Sequence, residues 1–224
     1  MNAQKYLIAT RNDGKLRELR EIFAVHGMQI TDLTEAGVPE ASDEDSIESW
    51  ETFEENALAK AQYFHRRTGL PTFADDSGLT VDALDGRPGV RSKRLSGRTD
   101  LSGRSLDAAN NATLLGQLRR MNALPAPASF VCAAAFADAD RAVVRTGTTE
   151  GVIVPQPRGF SGFGYDPHFV SQELQQTFGE AAEEAKFRVG HRGRAFRSLL
   201  GALGALGALT QEIGPTLPQP PTRD

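Results

Sequence analysis

Two aspartates stand side by side where an apolar run would otherwise continue. Phe73-Ala74 leads into Asp75-Asp76-Ser77-Gly78, and Leu79 opens a second apolar stretch. Adjacent ionised carboxylates at a strand end are costly unless they are solvated or neutralised by a cation. Residues 72–74 and 79–81 therefore read as strand segments around an Asp-Asp-Ser-Gly turn, and the fold must bring that turn to a surface or a cleft. Two kinds of turn meet the demand. A solvated Asx turn needs no ligand. A magnesium site takes one or two carboxylates and completes its shell with water and substrate phosphates.

The flanking sequence mixes strands and helices. Residues 5–10 form a short apolar strand, and Asn12 caps a helix over 14–25 whose Leu16, Leu19, Ile22 and Phe23 share one face. Residues 29–33 suggest a second strand, and the acidic stretch 35–50 a loop. Thr52 and Glu55 make a capping box that opens a helix to residue 68, ended by Gly69 and Pro71. A loop over 85–104, a helix over 105–121 and a hairpin of strands 129–137 and 142–151 follow. A glycine-aromatic loop over 160–167 then leads to helices over 180–186 and 192–209. This order predicts a single α/β domain over 1–209, with function gathered at strand-to-helix turns. The Pro-rich stretch 210–224 is expected to be a disordered tail.

Composition narrows the function classes. A net charge of −4 argues against a nucleic-acid binder, which is usually basic. Cys132 is the only cysteine, so no internal disulfide and no cysteine-based zinc site can form, which suits a reducing, cytoplasmic setting. The apolar stretches at the N-terminus and over 199–209 are too short for a signal peptide or a membrane span. Only five lysines stand against twenty arginines, and three of the five, Lys15, Lys60 and Lys186, fall in segments that look functional.

Four further constellations carry chemistry. Thr10-Arg11-Asn12-Asp13-Gly14-Lys15 is a strand-to-helix turn whose outward amides and lysine suit phosphate, or an ordinary capped turn. Neither a Walker A loop nor a G-x-G-x-x-G occurs. Glu48 precedes the helix carrying Glu55, Asn56 and Lys60; Glu55 has a capping role, whereas Glu48 is free to face a cleft. Gly162-Phe163-Gly164-Tyr165-Asp166-Pro167 offers rings for a base to stack on and a carboxylate for a ring N–H, or a packed turn. Lys186 with His191-Arg192 supplies donors, which favour a 6-oxo purine over adenine, or simply opens a basic helix.

Five stretches, ATRNDGKLREL, TFEENALAKA, FADDSGLTVDALDGRPGVRS, GFGYDP and HRG, follow one another over about residues 5–200. In this order they resemble the inosine/xanthosine triphosphate pyrophosphatase family, also called dITP/XTP pyrophosphatases. The resemblance implies an elongated α/β molecule with a mixed sheet, flanking helices and a cleft between two lobes. It also implies a homodimer. The activity it implies is magnesium-dependent hydrolysis of ITP, dITP and XTP to the monophosphate and pyrophosphate. Thr10 to Lys15 then correspond to a triphosphate loop, and Lys60 to a further phosphate contact. Glu48 and Asp76 correspond to magnesium ligands, Asp76 to the base that activates water, and Ser77 to a substrate contact. Phe163, Gly164, Tyr165, Asp166, Lys186, His191 and Arg192 correspond to the nucleobase pocket. Two positions depart from the pattern: Gly190 where serine is common, and Trp50 in the Glu-x-Gly step after Glu48, which brings Glu51 in as a rival ligand. Two other readings fit fewer motifs. One is a house-cleaning pyrophosphatase for other modified nucleotides. The other is a non-catalytic nucleotide-binding module, which needs no paired carboxylates.

Overall fold

Local signals fix where the elements begin. The computed structural model describes residues 4–207 apart from residue 43, so the tail over 210–224 and the last two residues of the expected helix over 192–209 lie outside the described residues. Strand β1 (Lys5–Ile8) leads to α1 (Asp13–Val25), where Asn12 accepts the Lys15 amide at 2.9 Å. Strand β2 (Gln29–Asp32) and the short α2 (Glu44–Ile47) precede α3 (Phe53–Thr68). Thr52 caps α3 by accepting the Glu55 amide, and Gly69 ends it with φ +72°. The long β3 (Thr72–Val81), two 3-10 turns at Asp82–Leu84 and Gly89–Arg94, and α4 (Gly103–Arg120) follow. The chain continues through β4 (Ala126–Ala137), β5 (Ala142–Ile153), β6 (Phe169–Ser171), α5 (Glu183–Val189) and α6 (His191–Ala205). Residues 35–50 and 85–104 therefore hold short helical turns within stretches expected to be loops, and β6 was not expected.

One six-stranded mixed sheet runs β2-β1-β3-β4-β5-β6. β1 pairs in parallel with β2 and β3, and the remaining neighbours pair antiparallel. The expected turn at residues 75–78 is a correction. β3 is one ten-residue strand, in register with β4 from Thr72↔Ala137 to Val81↔Ala128. Its two-residue period turns Phe73, Asp75 and Ser77 toward α1 and α6, and Ala74, Asp76 and Gly78 toward the opposite face. The adjacent carboxylates thus point to opposite faces: Asp75 meets Lys15 and Arg192 directly, and Asp76 meets Asn56.

Three cores surround the sheet. Ile8, Leu19, Phe23, Phe73 and Phe196 pack under α1 and α6. Leu7, Ala57, Ala61, Phe64 and Ala74 pack under α3. The third core, with Leu79, Leu114, Leu118, Phe130, Phe169 and Phe178, lies at the far end of the long β4–β5 hairpin. The first two make one lobe and the third makes another, with a cleft between them, as the expected architecture requires. No helix among the described residues is long and apolar enough to cross a membrane.

The placement of α6 depends on Gly147 in β5. A Cβ there would run into the His191 carbonyl and stand 2.5 Å from the Ala195 nitrogen. Backbone cannot yield as a flexible side chain does. Gly147→Ala should therefore cost ~2 kcal/mol and push α6 off the sheet, carrying His191 and Arg192 with it. Urea denaturation checks the cost; a midpoint equal to the wild type would show that α6 has slack here.

Candidate active site

The cleft between the lobes encloses about 1420 Å³, counting space open to solvent. Of the residues singled out in the sequence, Thr10, Arg11, Asn12, Lys15, Glu48, Lys60, Asp76, Ser77, Phe163 to Asp166, Lys186, His191 and Arg192 all line it. Asp13 is exposed and outside the lining. Gly14 serves differently from expectation: a Cβ there would sit 2.6 Å from the Phe163 ring, so glycine makes room for that ring against α1.

The acidic floor is divided by the faces of β3. Asp75 is fully buried, with Oδ2 facing Lys15 Nζ at 3.1 Å and Arg192 Nε at 3.2 Å. Burial pushes its carboxyl up, but Lys15, Arg192 and Lys60 outweigh burial and hold it well below the usual range. Asp76 lines the cleft, accepting Asn56 Nδ2 at 3.0 Å on one oxygen and its neighbour Ser77's amide at 2.9 Å on the other. Here burial wins. The Asp76 carboxyl lies above its ordinary value, with Glu48 adding to the rise and Lys15 and Lys60 opposing it. Asp75 is thus locked as an anion behind the site, and Asp76 is the carboxylate that faces it.

Lys60 joins the two parts. Its ammonium donates to the Asp75 carbonyl at 2.9 Å and pairs with Glu48. Glu48 also lies 3.5 Å from Arg94, which borders the cleft. Glu51 is turned away, exposed and only 4.0 Å from the exposed Arg91, so Glu48 is the carboxylate that reaches the site. Glu55 stays in its capping role, bonded to Thr52. Asn56, which the sequence reading named without a role, proves central. Besides holding Asp76 it exchanges hydrogen bonds with the Trp50 amide and carbonyl, pinning the segment that follows Glu48.

A magnesium ion is tested by this donor set. Among the described residues no group of three or more His, Cys, Asp or Glu side chains comes together. Asp76 and Glu48 flank the same lysine, and a pair of carboxylates open to a cleft is what a magnesium–phosphate complex uses. The residues fit the ion.

The other end of the cleft is cationic and aromatic. Lys186 Nζ bonds Asp166 at 2.7 Å and Glu18 at 2.8 Å, and lies 5.2 Å over the Phe163 ring. Arg192 is 2% exposed and reaches Asp75 through Nε, Glu18 through Nη1 and Ser77 Oγ through Nη2. His191 stacks on Phe130, with centroids 4.8 Å apart, and burial holds its ring well below its ordinary value, hence neutral. Tyr165 is buried and donates to the Ser92 carbonyl at 2.7 Å, a packing role rather than a stacking face. Asp166 Oδ2 is engaged by Lys186 and by the Phe163 amide, so that oxygen holds its own loop together. Arg11 is tied to Glu44 at 2.7 and 2.8 Å.

Glu18 was missed in the sequence because it reads as one more solvated charge on α1. Burial pushes its carboxyl up, but Lys186 and Arg192 outweigh burial and bring it down to about 2, against an ordinary 4.5. A depressed folded value stabilises the fold above pH 4.5 and loses that contribution as pH falls toward 2. Glu18→Gln should therefore cost at most ~3 kcal/mol near neutrality, and its deficit should shrink below pH 4. Parallel denaturation curves at pH 7 and pH 3 check this; a deficit independent of pH would show that packing, not charge, is at work.

With the geometry in place, three comparisons bear on it. The Ham1 family profile matches residues 6–202. A dITP/XTP pyrophosphatase of Frankia alni is 44% identical over 198 residues, covering 87% of this chain and 95% of the relative. One of Thermus thermophilus is 42% identical over 203 residues, covering 90% and 93%. Among solved structures, a HAM1 protein from Coxiella burnetii superposes with a TM-score of 0.76 at 34% identity, covering 90% of this chain and 99% of that one. A nucleoside-triphosphatase / dITP/XTP pyrophosphatase from Mycobacterium abscessus gives 0.65 at 43%, covering 88% and 99%. Matched from end to end of the described sheet, the chain belongs to the Ham1 family.

Proposed function

We propose that this chain hydrolyses non-standard purine nucleoside triphosphates, dITP and XTP among them, to the nucleoside monophosphate and pyrophosphate. The observation that carries the reading is that one cleft is lined by both chemistries. Asp76 and Glu48 lie about Lys60, Lys186 and Arg192 lie over the Phe163 ring, and all of them line it with Lys15 and His191. The names of the relatives agree with it. Magnesium as the cation, a homodimer as the assembly and the cytoplasmic nucleotide pool as the setting follow from the family resemblance of the motifs.

Lys15 and Lys60 bind triphosphate charge, and the turn from Thr10 to Asn12 closes over it. Asp76 and Glu48 would hold a divalent cation, which would supply offsetting charge to the phosphate oxygens. Asp76 takes a proton from a water whose oxygen bonds to the α-phosphorus, and the bond from that phosphorus to the α–β bridging oxygen breaks. Pyrophosphate leaves, and no covalent enzyme intermediate is required.

Base selection follows from donors. The bonds described use two of the three N–H groups of Lys186 and three of the five of Arg192. The remainder, with the neutral His191 ring, meet acceptors such as O6 and N7 of hypoxanthine or xanthine. Adenine keeps N7 but presents an amino donor in place of O6, so the donor that meets O6 would be left unpaired. Phosphorus NMR of the products of dITP turnover tests the bond cleaved. Monophosphate with pyrophosphate is the expected outcome, and diphosphate with orthophosphate would place attack at the γ-phosphorus and contradict the mechanism.

A further inference from the structure

Helix α4 has an inward stripe that changes character along its length. Leu114, Leu115 and Leu118 are buried apolar residues in the third core. One and two turns earlier the same stripe carries Asn110, Asn111 and Asp107. These polar side chains do not face solvent idly: each bonds the backbone of a segment that borders the cleft.

Gly164 is held from both sides. Its amide donates to Asp107 Oδ2 at 2.8 Å, and its carbonyl accepts from Asn111 Nδ2 at 2.8 Å. Gly164 has φ +61° and stands between Phe163 and Tyr165, so these two bonds fix the direction in which both neighbours leave the backbone. Asn110 holds the facing segment, donating to the Lys93 carbonyl at 3.0 Å and accepting the Ser96 amide at 2.8 Å. The Tyr165 hydroxyl closes the circuit on Ser92. One helix therefore sets two walls of the cleft. Helix stability alone does not explain the choice of residue. Asn111 is 9% exposed, and its Oδ1 has no partner among the described residues. A leucine there would extend the apolar stripe and remove the unpartnered Oδ1, losing only the bonds that Nδ2 donates to the Gly164 and Asp107 carbonyls.

We infer that Asp107 and Asn111 are positioning residues for base recognition: by clamping the Gly164 peptide they hold the Phe163–Asp166 loop in the orientation that selects the base. This rests on the function proposed above. The clamp touches the loop at the base end of the cleft and none of Asp76, Glu48 or Lys60. Loosening it should weaken binding of the preferred base and leave the phosphate chemistry intact. ATP, which does not gain the base contacts, should lose less.

The test uses the full chain with Asn111→Leu, Asp107→Ala and Asp107→Asn. Steady-state kinetics with dITP and ATP are measured beside melting temperature and hydrogen exchange over residues 160–167. For Asn111→Leu and Asp107→Ala the expected result is a rise of about tenfold in KM for dITP with kcat within about twofold. The preference for dITP over ATP should narrow, and exchange at the Gly164 amide should quicken in Asp107→Ala. Asp107→Asn keeps an acceptor in place and should recover most of what Asp107→Ala loses. Unmoved KM and preference in an active wild-type background would overturn the inference alone. Equal losses on both nucleotides with a lowered melting temperature would also overturn it, making the pair struts of the fold. A wild-type chain silent on dITP would overturn the function reading first and this inference with it.

Discussion

Replacing Asp76 by asparagine should lower pyrophosphate release from dITP by ~10³-fold or more while leaving the fold in place. In the proposed mechanism the change removes both the carboxylate that accepts the water's proton and one of two anionic ligands for a cation, which sets the size. The small structural effect follows from the local bonds. An asparagine Oδ1 still accepts the Ser77 amide, whereas its amide nitrogen faces Asn56 Nδ2, a donor against a donor. Asn56 cannot flip to relieve this without breaking its pair of bonds to Trp50. One lost hydrogen bond costs ~1 kcal/mol, and removing a buried charge offsets part of that. Turnover within tenfold of the wild type would move the base elsewhere, and a collapsed melting temperature would make Asp76 a structural residue.

Arg192→Ala should be the most destabilising single change in the site. Its guanidinium links Asp75 on β3, Glu18 on α1 and Ser77, and Asp75 is 0% exposed. Truncation leaves Asp75 facing Lys15 and the Cys132 thiol, and Glu18 facing Lys186. Breaking a buried pair from one side costs ~3–5 kcal/mol because an uncompensated charge stays behind. Removing Asp75 as well should recover part of it, so the double variant Asp75→Asn/Arg192→Ala should lose less than the sum of the single changes. Chemical denaturation without nucleotide measures this directly. A wild-type midpoint for Arg192→Ala would mean the network does not support the fold and leave Arg192 with base recognition as its whole role.

Much of this arrangement was legible because the signals are local. Caps at Asn12 and Thr52, the stop at Gly69 and the β4–β5 hairpin needed only nearby residues. The scarce lysines pointed well: Lys15, Lys60 and Lys186 all line the cleft. What failed was parity. Asp75-Asp76 looks like a turn when the two are read as a pair, yet a strand separates them by face, and the cations around them come from α1, α3 and α6. Glu18 and the polar stripe of α4 were hidden for a similar reason. A charged or amide residue on a helix looks solvated until the partner segment is known, and those partners lie 14 to 174 positions away. β6, three residues long, is too short to show any period.

A metal-supported phosphate site and a donor-lined base pocket, joined in one cleft as proposed, make separate demands on the cation and on the base. Pyrophosphate release from dITP, XTP, GTP and ATP, each with magnesium and again with a chelator, tests both most directly. Strong release from dITP and XTP, little from ATP, and none once the chelator is added is the predicted result; GTP shares O6 and N7 with the first two and reports whether the pocket also reads position 2. Equal release from all four would contradict the base pocket, release that survives chelation would contradict the metal-supported site, and silence on all four would contradict both.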